Sequence, residues 1–339
     1  MGSTAWVVRG ACRIGYTRNR GVRVRPETVS TKAAEVAAEV GKAILGKPET
    51  IEAAIIALLA DGHILLEDVP GVGKTTLAKA LARAIGGTYR RVQFTPDLLP
   101  ADVTGSSLFN QKTVEFEFRP GPIFANIVLA DEINRATPKT QSSLLEAMEE
   151  RQVTVDGTLY HLPRPFFVIA TQNNVEMTGT YPLPEAQMDR FLARLSLGYP
   201  DKEHEKGILI SQQLKAPLDD VRSVLTPEEM VELQADVREV FVDDSLKDYI
   251  VEVVRATREE SGLLLGASPR GSLLLMRSAQ AAAAIAGRDY ATPDDVKRVA
   301  LQVLPHRLIG RSEVRGRADS GPGIIQSILS RVPVPVPTR

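Results

Sequence analysis

The sequence predicts an α/β fold, with a core in which a parallel sheet lies between helices, followed by a small all-helical domain. Three observations carry that expectation. Short apolar runs at 63–67, 91–95, 127–130 and 166–170 alternate with helical stretches, as in parallel sheets whose crossover helices cover both faces. A glycine-rich loop, Gly71-Val72-Gly73, joins the first of these runs to a helix. After Tyr199-Pro200 the apolar period becomes helical only.

At 339 residues the chain has room for such a core and one smaller domain, since domains usually hold roughly 100–200 residues. The net charge of −1 excludes recognition of nucleic acid or membrane by bulk charge, so partners have to be argued from sites. Cys12 is the only cysteine, which excludes an intrachain disulfide and a cysteine metal cluster and suits a reducing, cytoplasmic setting. His63, His161, His204 and His306 are scattered, with no ligand-like spacing. The apolar run at 53–60 is far short of the roughly 18 residues that a membrane span needs.

Residues 1–28 carry Arg9, Arg13, Arg18, Arg20, Arg23 and Arg25, no acid before Glu27 and no regular period, which reads as a disordered basic arm. The α/β core then runs over 29–200. Ala33, Val36, Ala37, Val40 and Ile44 recur at helical spacing, 51–60 is a second apolar helix, 63–67 a buried strand and 75–85 the helix after the loop. The helical domain spans 201–330. In it Thr226-Pro227, Ser268-Pro269 and Thr292-Pro293 each set a capping hydroxyl before a proline at the first helical position. Residues 331–339, alternating Val and Pro, form a tail.

The loop itself reads "LLEDVPGVGKTT" and ends in Gly73-Lys74-Thr75, but Asp68 stands at the first position of the G-x-x-x-x-G-K-[ST] pattern. In such loops the backbone N–H groups, here of Gly71, Val72, Gly73, Lys74 and Thr75, point at phosphates; Thr76 continues into the helix. Lys74 reaches the β and γ oxygens, and the Thr75 hydroxyl ligates Mg²⁺. A carboxylate facing a triphosphate would be repelled, so Asp68 is expected to turn away and accept backbone N–H bonds. The plain alternative is a glycine turn with a chance GKT; the strand before and the helix after argue against it.

In "NIVLADEINRA" an apolar strand ends in Asp131 and Glu132, suited to holding the metal through water and polarising an attacking water, or merely to starting a helix. In "VIATQNN" Asn173 lies where ligands of parallel sheets bind, and is otherwise a turn residue. Arg190 in "PEAQMDRF" and Arg270 in "GASPRGS" are single arginines, ordinary surface charges unless an assembly uses them.

These stretches resemble the AAA+ ATPases and, within them, the MoxR family. The likeness is carried by "LLEDVPGVGKTTLAKALA", "VQFTPDLLPADVTGSSLF", "FRPGPIFANIVLADEINRATPKTQSSLLEAMEE", "ATQNNVEMTGTYPLPEAQMDRF" and "GASPRGSLLLMRSAQAAAAIAGRDYATPDDVK", in that order from about residue 29 nearly to the end. The resemblance implies ATP and Mg²⁺ as cofactors. It sets Lys74 and Thr75 at the Walker A positions, Asp131 and Glu132 at Walker B, Asn173 at sensor 1, Arg190 at a trans-acting arginine finger and Arg270 at sensor 2. "AILGKPETI" resembles the segment bordering the adenine, which puts Ile44, Leu45 and Gly46 against the base. The family further implies a hexameric ring with shared active sites, which remodels or matures a protein client carrying a von Willebrand factor A domain. Asp68 replaces the commoner glycine, and "NNVEM" departs from the usual Asn-Pro after sensor 1.

Two insertions bear on the client. "QVTVDGTLYHL" reads as a hairpin turning on Asp156-Gly157 and "LFNQKTVEFEF" as a second β excursion; in related ring motors such excursions face the pore. A nucleic-acid motor related to the minichromosome maintenance helicases would share them, but a phosphate-tracking tip needs Lys or Arg. The first tip has Asp156, and the second sets Lys112 against Glu115 and Glu117, so a protein client is preferred to nucleic acid. A small-molecule kinase is disfavoured by Glu132 beside Asp131 and by the helical second domain.

Overall fold

The chain enters its fold through a proline. In the computed structural model, which describes residues 25–173, 179–212, 216–311 and 321–335, helix α1 (Pro26–Ala43) begins inside the stretch expected to be an arm. Proline is preorganised for the first helical position, where its missing N–H costs nothing, and Val29 one turn later is fully buried. Helix α1 thus takes residues 26–28 from the expected arm, and the rest of that expectation, residues 1–24, lies outside the described residues. Helix α2 (Pro48–Leu59) likewise starts on a proline, before its apolar period becomes visible.

Strand β1 (Ile64–Glu67), helix α3 (Lys74–Ala84) and strand β2 (Tyr89–Gln93) follow. β2 starts two residues before the expected 91–95, because it is the sheet edge and tolerates the exposed Arg90 and Arg91. Short helix α4 (Pro100–Thr104) leads into an antiparallel hairpin of β3 (Gly105–Asn110) and β4 (Glu115–Pro120). Strand β5 (Ile127–Asp131) and helix α5 (Pro138–Glu150) precede a second hairpin, β6 (Gln152–Val155) and β7 (Thr158–His161). Its turn residues Asp156 and Gly157 both have positive φ, as the twist of a two-residue hairpin requires. Strand β8 (Phe167–Gln172), helix α6 (Glu185–Met188) and the three-residue strand β9 (Ala193–Leu195) complete the core.

The five core strands are parallel in the order β2-β5-β8-β1-β9. Alternate residues feed two apolar layers. Ile64, Leu66, Ile127, Leu129, Phe167 and Ile169 face the layer that holds α1, α2 and α3. Leu65, Val128, Ala130, Val168 and Ala170 face the layer that holds Leu144, Leu145 and Met148 of α5. With both faces covered, polar chemistry is left to the two ends of the strands.

The second region contains α7 (Lys202–Gln212), α8 (Pro227–Arg238), α9 (Asp244–Glu259), β10 (Leu263–Leu265), α10 (Pro269–Ile285), α11 (Pro293–Val303), β11 (Ile309–Gly310) and α12 (Gly321–Arg331). Three helices start at the expected caps: Thr226 and Thr292 each form a capping box, and the Ser268 hydroxyl accepts from the Arg270 amide. The region is not helical throughout, because β10 pairs antiparallel with β11, a ladder too short to leave a period in sequence. α12 ends at Arg331 and Val332 still packs on the core, so the expected tail starts later than 331. Leu275, Ala279 and Ala282 of α10 share one apolar layer with Val36, Val40 and Ile55, so α1 and α2 join the two regions. Among the described residues no helix is long and apolar enough to cross a membrane.

Candidate functional site

Between β1 and α3 the backbone turns through Gly71 at φ +87° and Gly73 at φ +98°, left-handed conformations that strain any residue with a Cβ. α3 then starts at Lys74, so the first N–H groups of the helix, those of Lys74, Thr75 and Thr76 among them, have no helical acceptor and are open to an anion. The Lys74 ammonium donates to the Asp68 carbonyl at 2.9 Å. Burial pushes its pKa below the ordinary lysine value, against the pull of Asp68, Asp131 and Glu132.

The Asp68 carboxylate does turn away from the loop. Its Oδ1 accepts from the Ser196 hydroxyl at 2.8 Å and from the Gly198 amide at 3.0 Å, and its Oδ2 from the Leu197 amide at 2.6 Å. The donors come from the segment after β9, a contact between chain stretches that the sequence does not show. Beside the loop lies a pocket of about 430 Å³ lined by Ile44, Leu45, Gly71, Val72, Gly73, Thr76, Gly198 and Pro200, among others. Ile44 also touches the loop, since a Cβ on Gly73 would lie 3.5 Å from its Cδ1. Gly46 is placed differently: it backs onto the His204 ring, where a Cβ would lie 2.6 Å away, and lines the adjoining cavity rather than this one.

At the carboxyl end of β5 the Asp131 carboxylate receives the Thr171 hydroxyl at 2.6 Å on Oδ1, and Arg91 at 3.0 and 2.6 Å on Oδ2. Glu132 has φ +56°, left-handed for a residue with a side chain, and its amide donates to the same Thr171 hydroxyl at 2.8 Å. Its carboxylate accepts from Gln93 at 2.9 Å and pairs with Arg135 at 3.3 Å. Asn173 is buried just past the end of β8, while the rest of "NNVEM", residues 174–178, lies outside the described residues. The strand ends thus gather Lys74, Thr75, Asp131, Glu132 and Asn173. The bare loop and the hard oxygens of Thr75 and Asp131 fit a nucleotide with Mg²⁺.

Thr171, Gln93 and Arg91 were not apparent from sequence. One signal for Gln93 is its register: it pairs with Asp131 across β2 and β5, so it shares the same sheet end.

Arg190 and Arg270 are elsewhere. Both hold Glu149, in the last turn of α5: Arg190 pairs with Oε2 at 3.2 Å and Arg270 with Oε1 at 2.8 Å. Next to Glu149, the Met148 carbonyl meets the His63 ring, and His63 immediately precedes β1. The Leu192 amide, just before β9, donates to the His63 carbonyl at 2.7 Å. Arg190 and Arg270 therefore sit at the amino end of β1 and Lys74 beyond its carboxyl end, with the four-residue strand, about 13 Å of rise, between them. Two more bonds fix the group: the Ser268 hydroxyl donates to Asp189 at 2.9 Å, and the buried Arg307 pairs with Asp189 at 2.8 Å.

A phosphate loop and a carboxylate pair on separate strands, with a third strand inserted between them and a helical domain packed behind, make this the core of a AAA+ ATPase. The ATPase family associated with various cellular activities (AAA) matches residues 63–193, and the AAA lid domain matches residues 255–328. Chaperone MoxR1 of Mycobacterium tuberculosis is 42% identical over 306 residues, 88% of this chain and 81% of its own length. Protein MoxR of Methylorubrum extorquens is 31% identical over 332 residues, 89% of this chain and 95% of its own. A crystal structure from Cytophaga hutchinsonii matches with TM-score 0.85 and 40% identity, covering 92% of this chain and 97% of that one. The chain belongs to the MoxR family of AAA+ ATPases.

Proposed function

We propose that the protein hydrolyses ATP at sites completed by a second copy, in a hexameric ring that remodels or matures a protein client. The supporting observation is the separation of Arg190 and Arg270 from Lys74 by the length of β1. Phosphoryl transfer needs cationic charge at the γ-phosphate, and an arginine finger contributes about 10³–10⁵ in rate where it has been measured. Within one chain these guanidinium groups lie at the wrong end of the sheet, so the charge comes from a neighbour.

The chain's own groups divide the remaining work. Loop amides and Lys74 bind the phosphates, the ammonium exchanging its bond to the Asp68 carbonyl for phosphate oxygens. Thr75 and Asp131 would hold Mg²⁺, which when bound neutralises charge developing on the phosphates. Glu132 takes the proton of the attacking water once its carboxylate leaves Gln93 and Arg135, and Asn173 orients that water.

A protein client is supported by the β3–β4 tip. Phe109 and Phe116 pack across the strands at a tilt, with centroids 5.3 Å apart, and both are exposed, as are Leu108 and Val114, next to Glu115 and Glu117. An apolar, acidic tip suits a polypeptide better than a phosphate backbone. The name of the mycobacterial relative, a chaperone, points the same way; by family resemblance the client carries a von Willebrand factor A domain.

The test mixes two inactive variants. Arg190→Ala should bind ATP and hydrolyse it poorly, and Lys74→Ala should lose most binding. Co-assembled, the two should recover part of the activity, since a Lys74→Ala copy still lends its arginine to an intact loop. Absence of recovery in a mixture shown to co-assemble would mean that the site is complete within one chain.

A further inference from the structure

We infer that Asp68 is a positioning residue that sets the base-side wall of the nucleotide pocket. The inference rests on the reading of that pocket given above. Asp68 stands where the general loop pattern has glycine, and its carboxylate is fully engaged, but not with the loop: it takes the Ser196 hydroxyl and the Leu197 and Gly198 amides. Gly198 and Pro200 line the pocket together with Ile44 and Leu45.

The same wall is tied from its other side. Thr50 donates to the Ser196 carbonyl at 3.1 Å, and the Lys47 ammonium to the Tyr199 carbonyl at 2.8 Å. Lys47 and Thr50 flank the start of α2, whereas Asp68 is the only one of these three ties that originates in the loop holding the phosphates. Residue 68 thus fixes the distance between the phosphate cradle and the surface that meets the base and sugar. The backbone carbonyl of the same residue holds Lys74 only until phosphate oxygens take its place, so the lasting tie from residue 68 is the one its carboxylate makes to the wall.

Electrostatics alone predicts the opposite consequence of substitution. A carboxylate near a triphosphate is repulsive, so removing its charge should tighten the binding of any polyphosphate. Positioning predicts that ATP binds more weakly, while inorganic tripolyphosphate, which never touches the wall, binds as before or better.

The experiment measures binding of ATP and of tripolyphosphate by calorimetry to the full-length wild type and to Asp68→Asn, Asp68→Gly and Asp68→Glu. Asp68→Gly restores the general loop pattern, yet it should lose about tenfold or more in ATP affinity and nothing in tripolyphosphate affinity. Asp68→Glu keeps the charge but displaces the oxygens, and should also lose ATP selectively. Ser196→Ala removes one donor, is the mildest change, and should show a smaller loss of the same kind. ATP and tripolyphosphate affinities that rise or fall together, with Asp68→Glu like wild type, would overturn the inference and leave charge as the role of the residue. A wild type that binds neither ligand would instead overturn the reading of the pocket.

Discussion

Glu149 holds two guanidinium groups with one carboxylate, and Thr171 serves both members of the Asp131–Glu132 pair with one hydroxyl. Replacing Thr171 by Val keeps its shape but leaves an oxygen of the part-buried Asp131 carboxylate and the amide of a left-handed residue without this partner. Each such loss costs about 1–3 kcal/mol. Thr171→Val should melt several degrees lower and turn over at least tenfold more slowly, and Thr171→Ser should recover most of both, as thermal denaturation and a phosphate-release assay would show. Glu132→Gln should differ in kind, binding ATP with Mg²⁺ at wild-type affinity without turnover; an unchanged kcat would remove Glu132 from the chemistry. That Lys74, Thr75, Asp131, Glu132 and Asn173 lie at or beyond strand ends is legible in the sequence, because each follows an apolar run in a continuous stretch. The contacts of Thr171, Gln93 and Glu149 are not, because their partners come from other strands and helices and only the fold selects them.

Among elements, α1 joins the two regions. Val29 is fully buried one turn into α1, and Arg25 just before the helix pairs with Asp236 of α8 at 3.2 Å. Val29→Ala should cost about 1–3 kcal/mol, seen as a lower urea midpoint with an unchanged slope. Arg25→Ala should move the midpoint far less, because an exposed ion pair contributes little. An arginine-rich approach hides the start of α1, a Pro-initiated helix with one apolar residue in its first turn. β2 starts before the expected 91–95 for the related reason that an edge strand carries charge, and β9 leaves no mark in the sequence because three residues make no period. The two hairpins were readable, since Asp-Gly fixes one turn and alternation marks the other.

For the molecule as a whole, the sheet order and its two-ended chemistry lay beyond sequence reading, although the α/β class and the helical second region did not. Acid should reveal one global property. His63 and His306 are buried, and burial, reinforced by Arg151 beside one and Arg307 beside the other, holds both well below the ordinary histidine value. They stay neutral when folded, whereas in the unfolded chain each takes a proton below about pH 6.5. The unfolded state then binds more protons, so stability present above that pH falls as pH drops, by up to about 1.4 kcal/mol per unit for each ring. Denaturant melts between pH 7.5 and 5.5 should show this decline, and His306→Gln should remove roughly half of it. The shared grip of Glu149 has a different kind of consequence. Arg190 belongs to the core and Arg270 to the helical region, yet one carboxylate keeps them side by side. In a ring of the proposed kind this works as an interlock: a copy whose helical region swings away from its core withdraws paired charge from its neighbour, so each site fires only when the next subunit holds the right posture.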